Sequence, residues 1–156
     1  MGREKKAKIS EMELEKLLDA WMAMAIVIKG NRILKTLSFN EMVICRLLCQ
    51  AGQEDRRITA SDICRETRLL KSQVNKVLND MEKKGLIYRQ RDVEDKRRVF
   101  LLMKEESMET YLSEHARVMT IVEQVGERLG RQEVETLIDK MNKVVAVMDE
   151  ISDNIS

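Results

Sequence analysis

KSQVNKVLNDMEKKGLIYRQRDVEDKRRVFLLM, residues 71–103, reads as a helix, a glycine stop, a strand, a charged loop and a second strand. Val74, Val77, Leu78 and Met81 fall at i, i+3, i+4 and i+7, which places one apolar stripe along a helix. The opposite face carries Ser72, Gln73, Asn75, Lys76 and Asn79, all hydrogen-bonding side chains. Lys83 and Lys84 put cations at the negative end of the helix dipole, and Gly85 supplies a residue free to take positive φ. Leu86-Ile87-Tyr88 and Val99-Phe100-Leu101-Leu102 are β-rich runs, with Arg89, Arg91, Lys96, Arg97 and Arg98 between them. A polar helix face beside a basic β-hairpin suits the reading of duplex DNA.

Working outward, residues 10–35 carry helical apolar spacing: Leu14, Leu17, Leu18, Trp21, Met24, Ala25 and Ile28, with Met22, Ile26 and Val27 widening the stripe. Ser38-Phe39-Asn40-Glu41 is a capping box that opens a second helix to about Gln50. A polar turn, AGQEDRR, follows at residues 51–57, and Arg57-Ile58 reads as a brief strand. Thr59-Ala60-Ser61-Asp62 is a second capping box, for a short helix to Thr67, and Arg68-Leu69-Leu70 turns into the polar-faced helix. Beyond Met103, one apolar face runs from Met108 to Leu129, Gly130 interrupts it, and a second runs from Val134 to Ile151. Three long amphipathic helices expose more apolar surface than one small core needs. A homodimer interface built from both termini accounts for them, and an intramolecular three-helix bundle is the alternative.

Composition bounds the function. The chain has 156 residues, no proline, six glycines and 3% aromatics, values that favour a mostly helical protein of one domain or one domain with flanking helices. No apolar run approaches the ~20 residues of a membrane span, and MGREKKAKIS at the N-terminus lacks the apolar core of a secretory signal. Cytoplasmic localisation is expected. The net charge of +1 conceals a net +5 over residues 65–98 and −6 over residues 99–156. A basic middle on an acidic scaffold is the footprint of a local polyanion contact. Three cysteines without a CxxC pair give no disulfide framework, and the single histidine, His115, gives no metal-ligand pair. There is no GxSxG, P-loop or glycine-rich fingerprint, so neither an enzyme nor a cofactor is expected. The eleven methionines fall mostly at core positions of the helices.

The short helix, turn, polar-faced helix and strand–loop–strand form a winged helix-turn-helix. At this point the sequence resembles the MarR family of bacterial transcriptional regulators, over nearly its whole length. The resemblance rests on Leu37-Ser38 with Glu41, on Ile63-Cys64, on Met81-Glu82-Lys83-Lys84-Gly85-Leu86-Ile87, and above all on Asp92-Val93-Glu94-Asp95-Lys96-Arg97 against the wing pattern D-x-R-D-x-R. It implies a mainly α fold with a small β-hairpin wing. Residues 1–36 would be an N-terminal helix for dimerisation, 37–103 the DNA-binding domain, and 104–156 the C-terminal dimerisation helices of one chain without an independent second domain.

The resemblance further implies that the helix from Lys71 enters the major groove, with Lys71, Ser72, Gln73, Asn75, Lys76 and Asn79 facing DNA. Arg89, Arg91, Lys96, Arg97 and Arg98 would be the wing contacts, with Asp92 and Asp95 shaping the wing. Two departures qualify the match. Family members carry an arginine where this chain has Glu94, so minor-groove contact falls to Lys96, Arg91 or Arg89, while Arg97 pairs with Asp92 or Asp95. Leu70 stands where the family places a capping side chain, so the recognition helix is expected to start a residue late. Family regulators often respond to small aromatic or phenolic anions bound between the winged domain and the dimer helices. Trp21, Met24, Ile28, Arg32 and Met42 are the candidates for such a cleft, with core packing the alternative for each. The function expected is a sequence-specific, ligand-responsive repressor that binds a pseudo-palindromic operator as a homodimer. The alternatives are a winged-helix module for protein partners and a thiol-based redox regulator using Cys45, Cys49 or Cys64.

Overall fold

The computed structural model of the chain describes residues 8–30 and 33–155. Six helices and a three-stranded sheet follow in the order α1 (Glu11–Lys29), α2 (Phe39–Gln53), β1 (Ile58–Thr59), α3 (Ala60–Thr67), α4 (Lys71–Lys83), β2 (Ile87–Arg91), β3 (Val99–Met103), α5 (Glu105–Leu129) and α6 (Arg131–Ile155). The sheet is antiparallel in the order β1-β3-β2, with Thr59 opposite Phe100 and Arg91 opposite Val99. Both expected capping boxes form. Glu41 N–H donates to Ser38 Oγ at 3.3 Å and Ser38 N–H to Glu41 Oε2 at 2.8 Å. Thr59 and Asp62 do the same for α3, at 3.3 and 2.9 Å.

Contacts divide the chain into two units, Met1–Glu114 and His115–Ser156. The first holds the core. Ile44 of α2, Ile58 of β1, Ile63 of α3, Val74, Leu78 and Met81 of α4, and Ile87 of β2 are sealed from solvent. Burying each such side chain contributes about 1.5–3 kcal/mol. The α4 residues are the stripe read from the sequence, with Val77 half-buried at its margin. Tyr111 on α5 closes the same core. In the second unit, Gly130 sits at φ +80 between α5 and α6, and α6 leaves Leu137, Ile138, Met141, Val144, Val145, Met148 and Ile151 between 39 and 54% exposed. That is an exposed apolar face.

Several boundaries differ from the sequence reading: α2 runs on to Gln53 rather than about Gln50, and β1 is Ile58–Thr59 rather than Arg57-Ile58. The first helix stops at Lys29 rather than about Lys35: Gly30 N–H donates to Ile26 O at 2.8 Å, and a Cβ at Gly30 would lie only 2.8 Å from that same oxygen. The following linker is instead held by Glu114. Helix α4 begins at Lys71 without a residue's delay: Leu70 supplies no side-chain cap, but Gln73 Oε1 reaches back to accept Leu70 N–H at 3.1 Å. Strand β2 runs on to Arg91, so Arg89 and Arg91 stand in the strand rather than in the loop. Pairing with β3 along five positions overrides their weak local strand preference.

Candidate nucleic-acid interface

Helix α4 is stopped by a Schellman motif. Leu86 N–H reaches Met81 O at 2.8 Å and Gly85 N–H reaches Glu82 O at 3.0 Å, with Gly85 at φ +74. The chain therefore turns directly into β2, which sets the wing against the helix. Before α4, Arg68 at φ 58 closes α3 in a left-handed turn. Lys84 Nζ pairs with Glu41 Oε1 at 2.6 Å and ties the end of α4 to the start of α2. Burial pushes the Glu41 carboxyl up, but the bonds from Lys84 and Ser38 outweigh it and hold the group below the usual carboxylate range.

On the polar face of α4, Lys71, Ser72, Asn75 and Lys76 are exposed. Lys71 and Asn75 line a concavity of about 190 Å³ with Ala60, Ser61 and Cys64 of α3. Gln73 and Asn79 are exposed but already engaged: Gln73 Oε1 caps its own helix, and Asn79 Oδ1 accepts from Arg89 Nη2 at 2.8 Å. Arg89 also pairs with Glu82, so it braces β2 against α4. Arg91 is exposed at the far end of β2.

The wing loop, residues 92–98, is closed by Asp92 N–H to Arg98 O at 3.0 Å and Arg98 N–H to Asp95 O at 2.9 Å. Both aspartates shape it as expected. Asp92 Oδ1 accepts Glu94 N–H at 2.9 Å and Asp95 Oδ1 accepts Arg97 N–H at 3.0 Å. Arg97 thus meets Asp95 through its backbone N–H. The bond from Glu94 N–H holds the Asp92 carboxyl below the usual range. Desolvation opposes that, while Asp95 N–H and the charges of Arg98 and Arg57 reinforce it. Lys96, Arg97, Arg98 and Glu94 are all exposed.

Arg57 is a residue that sequence reading missed. Its guanidinium carbon lies 5.3 Å from the centroid of the Phe100 ring, and that of Arg98 lies 5.2 Å from the same centroid. The available signal was the Arg56-Arg57 pair before β1, which looked like ordinary turn charge. The two differ in fact: Arg56 is bridged to Glu54 and Glu66.

Among the effector-cleft candidates, Trp21 and Met24 are exposed on α1 and Ile28 is half-buried. Met42 packs against the core, and Arg32 lies outside the described residues. Cys45 is sealed in the core, where burial and the Glu41 charge push its thiol up to about 12, a poor nucleophile. Cys49 and Cys64 are half-buried. Among the described residues no group of three or more His, Cys, Asp or Glu could hold a metal ion, and no helix is long and apolar enough to cross a membrane.

A three-stranded wing behind a helix-turn-helix, with its second helix exposed on the polar side, defines the winged helix-turn-helix class. The sequence model of the MarR family matches residues 46–98, from within α2 to the end of the wing loop. Solved structures share the fold. AbsC, a MarR family transcriptional regulator from Streptomyces coelicolor, superposes with a TM-score of 0.74 at 20% identity, over 93% of this chain and 99% of that one. FabT of Streptococcus pneumoniae, solved in complex with DNA, gives 0.69 at 18% identity over 91% and 99%. NadR, solved in complex with 4-hydroxyphenylacetate, gives 0.61 at 24% identity over 92% and 97%. Among curated protein sequences none matches this chain.

Proposed function

We propose that the chain is a sequence-specific DNA-binding transcriptional repressor that acts as a homodimer on a pseudo-palindromic operator. The observation that carries this reading is the exposed face of α4, Lys71, Ser72, Asn75 and Lys76, beside a basic wing. Two such helices related by a two-fold axis would enter major grooves about 34–36 Å apart. Asn75 is suited to a bidentate bond with adenine, and Lys76 to guanine or phosphate. Gln73 and Asn79 contribute less to base reading, because each already spends its amide oxygen within the chain. Arg91 and Lys96 supply phosphate contacts, and Arg89 holds the wing in place. The exposed apolar faces of α1 and α6 support self-association.

A small aromatic or phenolic anion would release DNA by favouring a different spacing of the two recognition helices. The similarity to NadR, solved with such a ligand, supports that extension. The raised thiol of Cys45 supports a switch that does not use that cysteine.

The test is retardation of a random duplex at low and high salt, then binding to a duplex selected from a random pool. Salt-sensitive retardation is expected, and its absence sinks the reading. Asn75→Ala should relax preference at one base pair, at a cost of about 1–3 kcal/mol, whereas Arg91→Ala weakens all sequences alike. Uniform loss from Asn75→Ala would place the base-reading residues elsewhere.

A further inference from the structure

We propose that Arg57 and Arg98, stacked on the Phe100 ring at the base of the wing, form a clamp for a DNA backbone phosphate. The proposal rests on the DNA-binding reading above and adds Arg57, from outside both the recognition helix and the wing loop, to the wing residue Arg98. Arg57 enters from the segment before β1 and Arg98 from the end of the wing loop, and the strands that follow them pair with Thr59 opposite Phe100. The two guanidinium carbons lie 5.3 and 5.2 Å from one buried ring. A guanidinium held near a ring keeps N–H donors that can meet a phosphate oxygen pair.

Several arginines of this domain are already paired. Arg56, Arg65 and Arg89 are spent on the carboxylates of Glu54 and Glu66, Asp62, and Glu82. Arg57 and Arg98 instead share the Phe100 ring as a neighbour. The Asp92 carboxylate, which accepts Glu94 N–H, feels both charges and offsets part of them. An incoming anion would meet the positive charge that remains.

Placement supplies the second argument. Arg97 and Arg98 line a concavity of about 410 Å³ with Thr59, Ala60, Ser61, Asp62 and Val99. Ala60 and Ser61 also line the concavity that Lys71 and Asn75 share with α3. The clamp and the recognition helix therefore flank the start of α3 on one continuous face. The Asp62 carboxylate in that wall is occupied by Thr59 N–H and Oγ1 and by Arg65. A backbone track entering along α4 would reach Arg98 by way of the start of α3. A cationic site there offsets Glu94, which puts a carboxylate at that tip.

Fluorescence anisotropy of a labelled random duplex over a salt series tests this, with Arg57→Ala, Arg57→Gln, Arg98→Ala and Arg57→Lys compared with the unaltered chain. Each phosphate contact contributes about 0.9 to the slope of log affinity against log salt. Arg57→Ala, Arg57→Gln and Arg98→Ala should each lower the slope by about that amount on every sequence alike, while Arg57→Lys retains it. Thermal melts confirm that the variants fold, and Arg57→Gln keeps the test open if alanine destabilises the stack. Unchanged slope and affinity in Arg57→Gln and Arg98→Ala, with Arg91→Ala still weakened, would overturn the clamp while leaving the DNA reading intact. No salt-dependent binding by the unaltered chain would overturn both.

Discussion

Glu114 shows how much one buried side chain can organise. It is 3% exposed on α5, yet its carboxylate accepts Thr36 N–H at 2.6 Å and Lys35 N–H at 3.1 and 3.2 Å. These bonds satisfy backbone donors in the irregular linker after α1 and dock that linker on the winged domain. Hydrogen bonds to a charged group are worth about 1.5–3 kcal/mol each when neither partner returns to water freely. Glu114→Ala should therefore lower unfolding free energy by about 2–3 kcal/mol, and Glu114→Gln, which keeps one acceptor oxygen, by about half as much. Urea unfolding measures both, and equal losses would contradict the acceptor role. In sequence Glu114 looked like one more charge on a helix, since its partners lie 78 and 79 positions away.

Elements meet through a small number of such ties. The Glu41–Lys84 pair joins α2 to α4 across 43 positions, so it fixes the recognition helix relative to the rest of the winged domain. Because the Glu41 carboxyl is held below its ordinary range, the pair stabilises the fold above the ordinary carboxylate pKa and stops doing so as pH falls through the lowered value. Lys84→Met leaves burial as the main influence and should raise the Glu41 pKa. The variant therefore loses less stability on acidification, because protonating Glu41 no longer breaks a favourable pair. Lys84 is 55% exposed, so the loss at neutral pH is expected to be only about 1 kcal/mol. Urea melts from pH 7 to pH 3 check the shift, and superimposable pH profiles would refute it. Both capping boxes, the glycine stop and the α4 stripe were legible in advance, because each depends on residues within a turn of one another. The length of β2 was not, because Arg89 and Arg91 become strand residues only through β3.

At the scale of the whole molecule the apolar faces of α1 and α6 are the outstanding feature. Trp21 is 50% exposed, and Met141, Val144 and Val145 lie between 45 and 48%. Exposed stripes of this extent on a monomer mark an interface. For the proposed homodimer, a single charge in the α6 stripe, as in Met141→Glu or Val145→Glu, should shift the protein to monomer in sedimentation velocity. Affinity for a two-half-site duplex should fall more than tenfold, through loss of the linked second site. A dimer that persists in both variants would move the interface elsewhere. The charge division follows the same logic, with the basic stretch at residues 65–98 and the acidic one beyond it.

The sequence by itself determined the succession of helices, their caps, the wing and the basic character of residues 65–98. Periodicity, capping and turn chemistry act over a few residues and need no knowledge of the fold. Only the tertiary structure decided which polar groups remain available to a partner. Asn79 matched Asn75 as a hydrogen-bonding residue of one helix face, yet it is spent on Arg89 of β2. Arg57 matched Arg56 as turn charge, yet it stacks beside Arg98 on a ring 43 residues further along the chain. The reason is physical: a side chain's charge belongs to its residue, but whether that charge is already satisfied depends on what the folded backbone brings within about 3 Å of it.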